Sequence, residues 1–214
     1  MGLVIQRLTK GLFGHCIGAL FAVLLLLLSA CGQQAKLPPL APDAVVLAFG
    51  DSLTYGSGAN DEESYPAQLA GMTGRRVIRD GVPGEVSAAG LARLPAALDE
   101  HRPQLLILCH GGNDFLRRLP REQTAENVRA MIRLAKSRAV DVLLIGTPDI
   151  GFTLTPPEFY AGIAKQFGIP YEADALTKIL RDGSLKSDQI HPNAQGYRLM
   201  AERVFDLLRK SGAL

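Results

Sequence analysis

The sequence predicts an α/β protein: a flavodoxin-like, three-layer α/β/α sandwich with about five parallel strands. Short apolar runs alternate with helical patterns over one compact length, which is the signature of a doubly wound sheet. Polar, glycine-rich turns follow three of those runs directly, and in such sheets ligands sit outside the carboxyl ends of the strands. No internal repeat, low-complexity segment or second domain interrupts the pattern.

The first strand is Val45-Val46-Leu47-Ala48-Phe49, which stops abruptly at Gly50-Asp51-Ser52. A hydroxyl delivered on a tight turn at the end of a strand is where an α/β enzyme would place a nucleophile. The second strand is read at Val77-Ile78 and is followed by Asp80-Gly81-Val82-Pro83-Gly84. Leu91, Leu94 and Leu98 suggest a helix that Pro95 should kink or restart. The third strand, Leu105-Leu106-Ile107-Leu108-Cys109, leads into Gly111-Gly112-Asn113-Asp114. Val128, Met131, Ile132 and Ala135 follow the i, i+3, i+4, i+7 rule of an amphipathic helix. A fourth strand is expected at residues 142–145 and a weaker fifth at residues 169–171. The last helix carries Tyr197, Met200, Val204 and Leu208 on one face, with Asn193 as its N-cap.

The chain has 214 residues, and its start is set apart from the rest. Arg7 and Lys10 precede an apolar stretch that is almost pure from residue 20 to residue 28, the shape of a secretory signal. Leu28-Ser29-Ala30-Cys31 resembles a bacterial lipobox, in which cleavage before Cys31 leaves that cysteine to be lipidated. The domains are therefore read as a signal at residues 1–30, a tether at 31–43 and a catalytic domain at 44–214. An uncleaved membrane anchor and a cleaved signal without lipid are the competing readings. The expected location is the cell envelope, lipid-anchored on the periplasmic side of an outer membrane in a Gram-negative source, or exported. Gly32, rather than an aspartate, after Cys31 favours the outer membrane.

The whole chain has 23 basic and 21 acidic side chains. Removing the signal takes Arg7 and Lys10 but no acid, so the remainder is formally neutral. No basic stripe with interleaved aromatics marks a nucleic-acid partner. Of three cysteines, Cys109 alone falls inside the domain and ends an apolar run, so it reads as a small buried hydrophobe and no internal disulfide forms. No Cys/His cluster has metal-ligand spacing, and no metal is expected. A monomer is expected.

The chemistry is assembled from separated residues. Ser52 needs a base to remove its proton during attack. His191 is the candidate base, and Asp188, three residues earlier, can fix its tautomer and stabilise the imidazolium. His110 is the competing base, with Asp114 its nearest carboxylate in sequence; His101, beside Arg102-Pro103, reads as a surface loop residue. The oxyanion hole is read as the Ser52 N–H, the Gly84 N–H and the Asn113 side-chain amide. Asp51 is read as a brace that caps nearby N–H groups rather than as the partner of the base. Asp114 is read as a brace of the Asn113 loop, and Gly50 and Gly111 as points of close backbone passage.

These blocks together resemble the SGNH, or GDSL, hydrolase superfamily. They are Gly50-Asp51-Ser52-Leu53, Gly84, Gly111-Gly112-Asn113-Asp114 and Asp188-Gln189-Ile190-His191-Pro192, in the family's order. Gly90-Leu91-Ala92-Arg93-Leu94-Pro95 and the asparagine block look most like the bacterial thioesterase I, arylesterase and lysophospholipase branch. The resemblance implies a flavodoxin-like SGNH fold, no cofactor, and hydrolysis of esters or thioesters through an acyl-serine. Two departures stand out. Asp80 stands where that branch often has asparagine, which bears on loop bracing. The stretch from residue 146 to 171 is short, so Pro148, Ile150, Phe152 and Leu154 would form a reduced acyl-pocket wall. A carbohydrate O-acetylesterase and a non-catalytic envelope binding protein are the alternatives.

Overall fold

The computed structural model describes residues 35–151 and 153–214. The signal, Cys31 and Phe152 lie outside these described residues. Strand β1 (Val45–Gly50) lies inside a five-stranded sheet with β2 (Arg76–Gly81), β3 (Leu105–Cys109), β4 (Asp141–Ile145) and β5 (Tyr171–Glu172). The order is β2-β1-β3-β4-β5 and every pairing is parallel. This is the flavodoxin-like order, in which the chain reverses direction of winding between β1 and β3.

Alternation along the strands builds two cores. On one face Val46, Ala48, Leu105, Ile107 and Leu143 pack with residues of helices α2 (Tyr65–Thr73), α7 (Ala175–Arg181) and α8 (Ala194–Ser211). On the other, Leu47, Phe49, Leu106, Leu108 and Val142 pack with α3 (Ser87–His101), α5 (Arg121–Ser137) and α6 (Phe159–Phe167). Two short helices, α1 (Ser52–Tyr55) and α4 (Gly112–Leu116), start at the ends of β1 and β3. Both faces of β1, β3 and β4 are covered, which explains why their sequences are continuous apolar runs.

Several expectations need correction. Helix α3 runs continuously through Pro95, which excludes the restart among the two outcomes expected there. Proline removes one hydrogen bond there, and burial of Leu94 and Leu98 on either side holds the turn together. His101 belongs to the last turn of that helix and is only 21% exposed. Strand β2 is longer than Val77-Ile78 and includes Asp80 and Gly81, paired with Phe49 and Gly50. It lies at the sheet edge, where charged side chains find partners outside the core: Arg79 reaches Asp61 at 2.8 Å and Asp80 pairs with Arg93. Strand β5 is shifted to Tyr171–Glu172, leaving Ile169 buried in the loop before it.

The tether at 31–43 is also too long as read, because its second half is part of the domain. Leu37 and Leu40 are buried, and their N–H groups donate to Ser211 and Ala213 carbonyls at 3.0 and 2.9 Å. Gln104 clasps the same segment, accepting from Ala41 N–H at 3.1 Å and donating to the Pro39 carbonyl at 3.2 Å. The domain therefore starts by Ala35 and not at residue 44. Polar neighbours and two prolines hid two leucines whose burial depends on the far end of the chain.

Candidate active site

Ser52 is the first residue of α1, immediately beyond β1. Asp51 is the N-cap, and its buried carboxylate accepts the Leu53 N–H at 3.0 Å. The turn can be this sharp because Gly50 lacks a side chain: a Cβ there would lie 2.1 Å from the Cys109 carbonyl oxygen on the neighbouring strand. The first N–H groups of a helix have no acceptor within it, so the Ser52 N–H is left available.

His191 arrives from the other end of the chain on the loop before α8. That loop is pinned by Ser187 N–H donating to the His191 carbonyl at 3.0 Å and by the Asn193 amide donating to the Ser184 carbonyl at 2.8 Å. Asn193 also caps α8, accepting the Gly196 N–H at 3.0 Å. The result brings Ser52, His191 and Asp188 into line. His191 Nε2 is 3.1 Å from Ser52 Oγ, and its Nδ1 is 2.7 Å from Asp188 Oδ2. The other Asp188 oxygen accepts the Ile190 and His191 N–H groups, both at 2.8 Å. Partial burial pushes the Asp188 carboxyl up, but the bonds from the His191 ring and these two N–H groups outweigh it and hold it below the usual range.

Asp51 does not touch His191 Nδ1. Burial raises its carboxyl, opposed by the nearby His110, the Leu53 N–H and His191. It braces the site by accepting from the Asn113 amide at 3.2 Å. Asn113 enters at the second position of α4, after Gly111, whose φ of 118° lies outside the range of most side chains. A Cβ at Gly111 would also lie 2.3 Å from the Tyr160 hydroxyl. The Asn113 amide makes a second, shorter bond to the Glu85 carbonyl at 3.0 Å, which links it to the turn containing Gly84. Gly84 has φ 78° and its carbonyl receives Arg117 at 2.8 Å. Asp114 is buried and ties this loop to α3 and α5, accepting from Ser87 N–H at 2.7 Å, from its hydroxyl at 2.5 Å and from Thr124 at 3.2 Å.

Two partnerships in the site were not legible in the sequence, although Asp80, His110 and Tyr197 were each singled out there. The first is a half-buried charge network under the Gly84 turn. Glu85 receives Arg93 through two bonds of 3.0 and 2.9 Å and His110 Nε2 at 3.1 Å, while Arg93 also pairs with Asp80 and lies over the Phe49 ring. Burial opposes ionisation of Glu85, but His110 and Arg93 overcome it and lower the carboxyl to about 2. His110 is fully buried, its Nδ1 has no partner among the described residues, and it faces Glu85 rather than Ser52. This removes it as the competing base and corrects its expected partner from Asp114 to Glu85. The second is Tyr197, whose hydroxyl donates to the Ser57 carbonyl at 2.8 Å and fastens α8 to the Ser52 turn.

A cleft opens beside Ser52, Asn113 and His191. Leu53, Leu116, Pro148, Ile150, Leu180 and Ile190 give it mostly apolar walls. Pro148 and Ile150 thus line it as expected, whereas Leu154 does not, and Gly84 lies outside the lining. Cys109 is buried, its thiol pushed up by burial. Among the described residues no cluster of His, Cys, Asp or Glu is placed to hold a metal ion.

A doubly wound sheet with a hydroxyl, an imidazole and a carboxylate aligned at its carboxyl edge has the layout of an α/β serine hydrolase. Residues 48–199 match the GDSL-like lipase/acylhydrolase family, and the chain belongs to it. Esterase TesA of Pseudomonas aeruginosa is 30% identical over 86% of this chain and 97% of its own length. An arylesterase of Vibrio mimicus is 33% identical over 91% of this chain and 98% of its own. A crystal structure of TesA superimposes with a TM-score of 0.68 at 27% identity, covering 77% of this chain and 98% of that one.

Proposed function

We propose that this protein is a serine esterase that hydrolyses acyl or aryl carboxylic esters, with thioesters and lysophospholipids in its range. The observation that carries the reading is the continuous line from Asp188 through His191 to Ser52, with links of 2.7 and 3.1 Å. Ser52 Oγ attacks the carbonyl carbon while His191 Nε2 takes its proton. The imidazolium so formed is stabilised by Asp188. The oxyanion is held by the Ser52 and Gly84 N–H groups and the Asn113 amide. The longer Asn113 bond, to Asp51, is the one it can share with the intermediate.

Collapse breaks the bond to the leaving alcohol or thiol, which takes the proton from His191 and departs. Water then attacks the acyl-serine and gives a proton to His191; collapse breaks the bond to Ser52 Oγ, which takes that proton back, and the carboxylic acid departs. The apolar cleft walls favour acyl and aryl groups over the small polar pocket that a carbohydrate O-acetylesterase would need. A binding protein without catalysis would have no use for the Asp188–His191–Ser52 alignment. The test is Ser52→Ala: it should fold normally, lose hydrolysis of chromogenic esters and lose labelling by a fluorophosphonate probe. Full esterase activity in a folded Ser52→Ala protein would sink the reading.

The location belongs to the same proposal. The lipobox-like Leu28-Ser29-Ala30-Cys31 supports cleavage before Cys31 and a lipid anchor in the envelope, followed by a short tether that ends by Ala35. More than one acyl chain makes such anchoring stable. Cys31→Ser should move the mature protein out of the membrane fraction; unchanged membrane association would exclude the lipid.

A further inference from the structure

The cleft beside Ser52 is not the end of the groove. Leu116 and Ile150, which form part of its wall, also line a second, open recess. Phe115 and Leu119 add apolar lining, and Leu116 and Leu119 are among the few large apolar side chains left exposed, at 46% and 40%. The charged lining of the recess is Arg118, Arg121 and Asp149. Asp149 is satisfied: its carboxylate takes the Arg121 guanidinium at 2.5 Å and the Gly151 N–H at 3.1 Å. The Arg118 guanidinium has no ion pair or hydrogen bond among the described residues. The recess therefore presents apolar surface and one uncompensated positive charge.

The place of Arg118 is set by the loop that also carries Asn113. Its φ of 55° is left-handed, and the turn is closed by Arg118 N–H to the Phe115 carbonyl at 2.9 Å and Leu119 N–H to the Asp114 carbonyl at 2.8 Å. Asp114 is itself anchored to Ser87 and Thr124. The backbone from which Arg118 projects is thus fixed by the same Asp114 anchor that braces the Asn113 loop.

We propose that this recess binds the non-reacting end of the substrate and that Arg118 selects an anionic group there, so that the preferred substrates are esters bearing a carboxylate, sulfonate or phosphate. The inference rests on the esterase reading and names its substrate class. A partly exposed ion pair contributes up to ~1 kcal/mol, which is about fivefold in kcat/KM. The contact forms equally in the ground and transition states, so the effect falls on KM and not on kcat.

The test compares Arg118→Gln with the unaltered protein in two series of esters. In one the leaving group is charged (4-acetoxybenzenesulfonate against its neutral methylsulfonyl analogue). In the other the acyl group is charged (4-nitrophenyl hemisuccinate against 4-nitrophenyl butyrate). Arg118→Gln should raise KM about fivefold for the charged member of one series and leave both neutral esters unchanged. The series affected tells which half of the ester occupies the recess. The difference should shrink at high salt. Equal effects on charged and neutral esters, or no effect in either series, would overturn the proposal. Calorimetric binding of 4-hydroxybenzenesulfonate and of succinate to Ser52→Ala reads the recess without turnover. Binding of either that is lost on adding Arg118→Gln supports the site even in a protein that hydrolyses no ester. Absence of both, with Arg118 intact, overturns it.

Discussion

Glu85 supplies the most quantitative test of how the site is held. Its carboxylate is 7% exposed and is gripped by Arg93 and His110, while its backbone carbonyl receives the Asn113 amide. The carboxyl is lowered from 4.5 to about 2. A drop of that size corresponds to ~3 kcal/mol of preference for the ionised form in the folded state. Arg93 is 27% exposed, so solvent screens part of this and about 2 kcal/mol is the working figure. Glu85→Gln should therefore lose about 2 kcal/mol of unfolding free energy at pH 7, read from urea denaturation.

The pH dependence has a definite sign. A carboxyl with a depressed folded value stabilises fully above its unfolded value and loses that contribution as pH falls through the folded one. For Glu85 the window runs from 4.5 down to about 2. The stability gap between the unaltered protein and Glu85→Gln should hold from pH 7 to about 5 and fall to less than half by pH 3, other carboxyls cancelling between the two. A gap that is absent at pH 7, or of the same size at pH 3, would mean that Arg93 and His110 do not hold the Glu85 carboxylate in its ionised form.

Three further outcomes are expected. Asp188→Asn should fold with near-normal stability, because an amide oxygen can still accept the Ile190 and His191 N–H groups, but should lower kcat by about 10³–10⁴-fold through the wrong His191 tautomer. Asn113→Ala should lower kcat by about 10²-fold or more with little change in KM, measured on a neutral aryl ester. Leu40→Ala should cost about 2 kcal/mol in urea denaturation, since Leu40 is buried in the core; a cost near zero would return residues 35–43 to the tether.

How much of this was legible differs from residue to residue. Ser52, Asp188, His191 and Asn113 stood out because strand ends, turns and caps are local features written in adjacent residues. Asp51 was readable as a brace for the same reason: an N-cap contacts the N–H two residues on. The partnership of Glu85 with His110 and Arg93 was not readable. Its members are 25 and 8 residues apart, on no common period, and meet only because the end of β3 comes up against the turn that leads into α3. Periodicity also misjudged β2, an edge strand whose Arg79 and Asp80 are satisfied by partners outside the sheet.

The layer architecture is already present in the order of residues, because runs of buried strand and one-sided helix admit few other arrangements, and so is the identity of the residues at the strand ends. What those residues face follows from the packed chain alone. It set His191 against Ser52 across 139 positions of chain and turned His110 away. It drew Leu37 and Leu40 into the core and left Arg118 unmatched beside the cleft. The reason is that backbone hydrogen bonding and hydrophobic periodicity act over a few residues, whereas burial, ion pairing and the shape of a cleft depend on which distant segments share a surface.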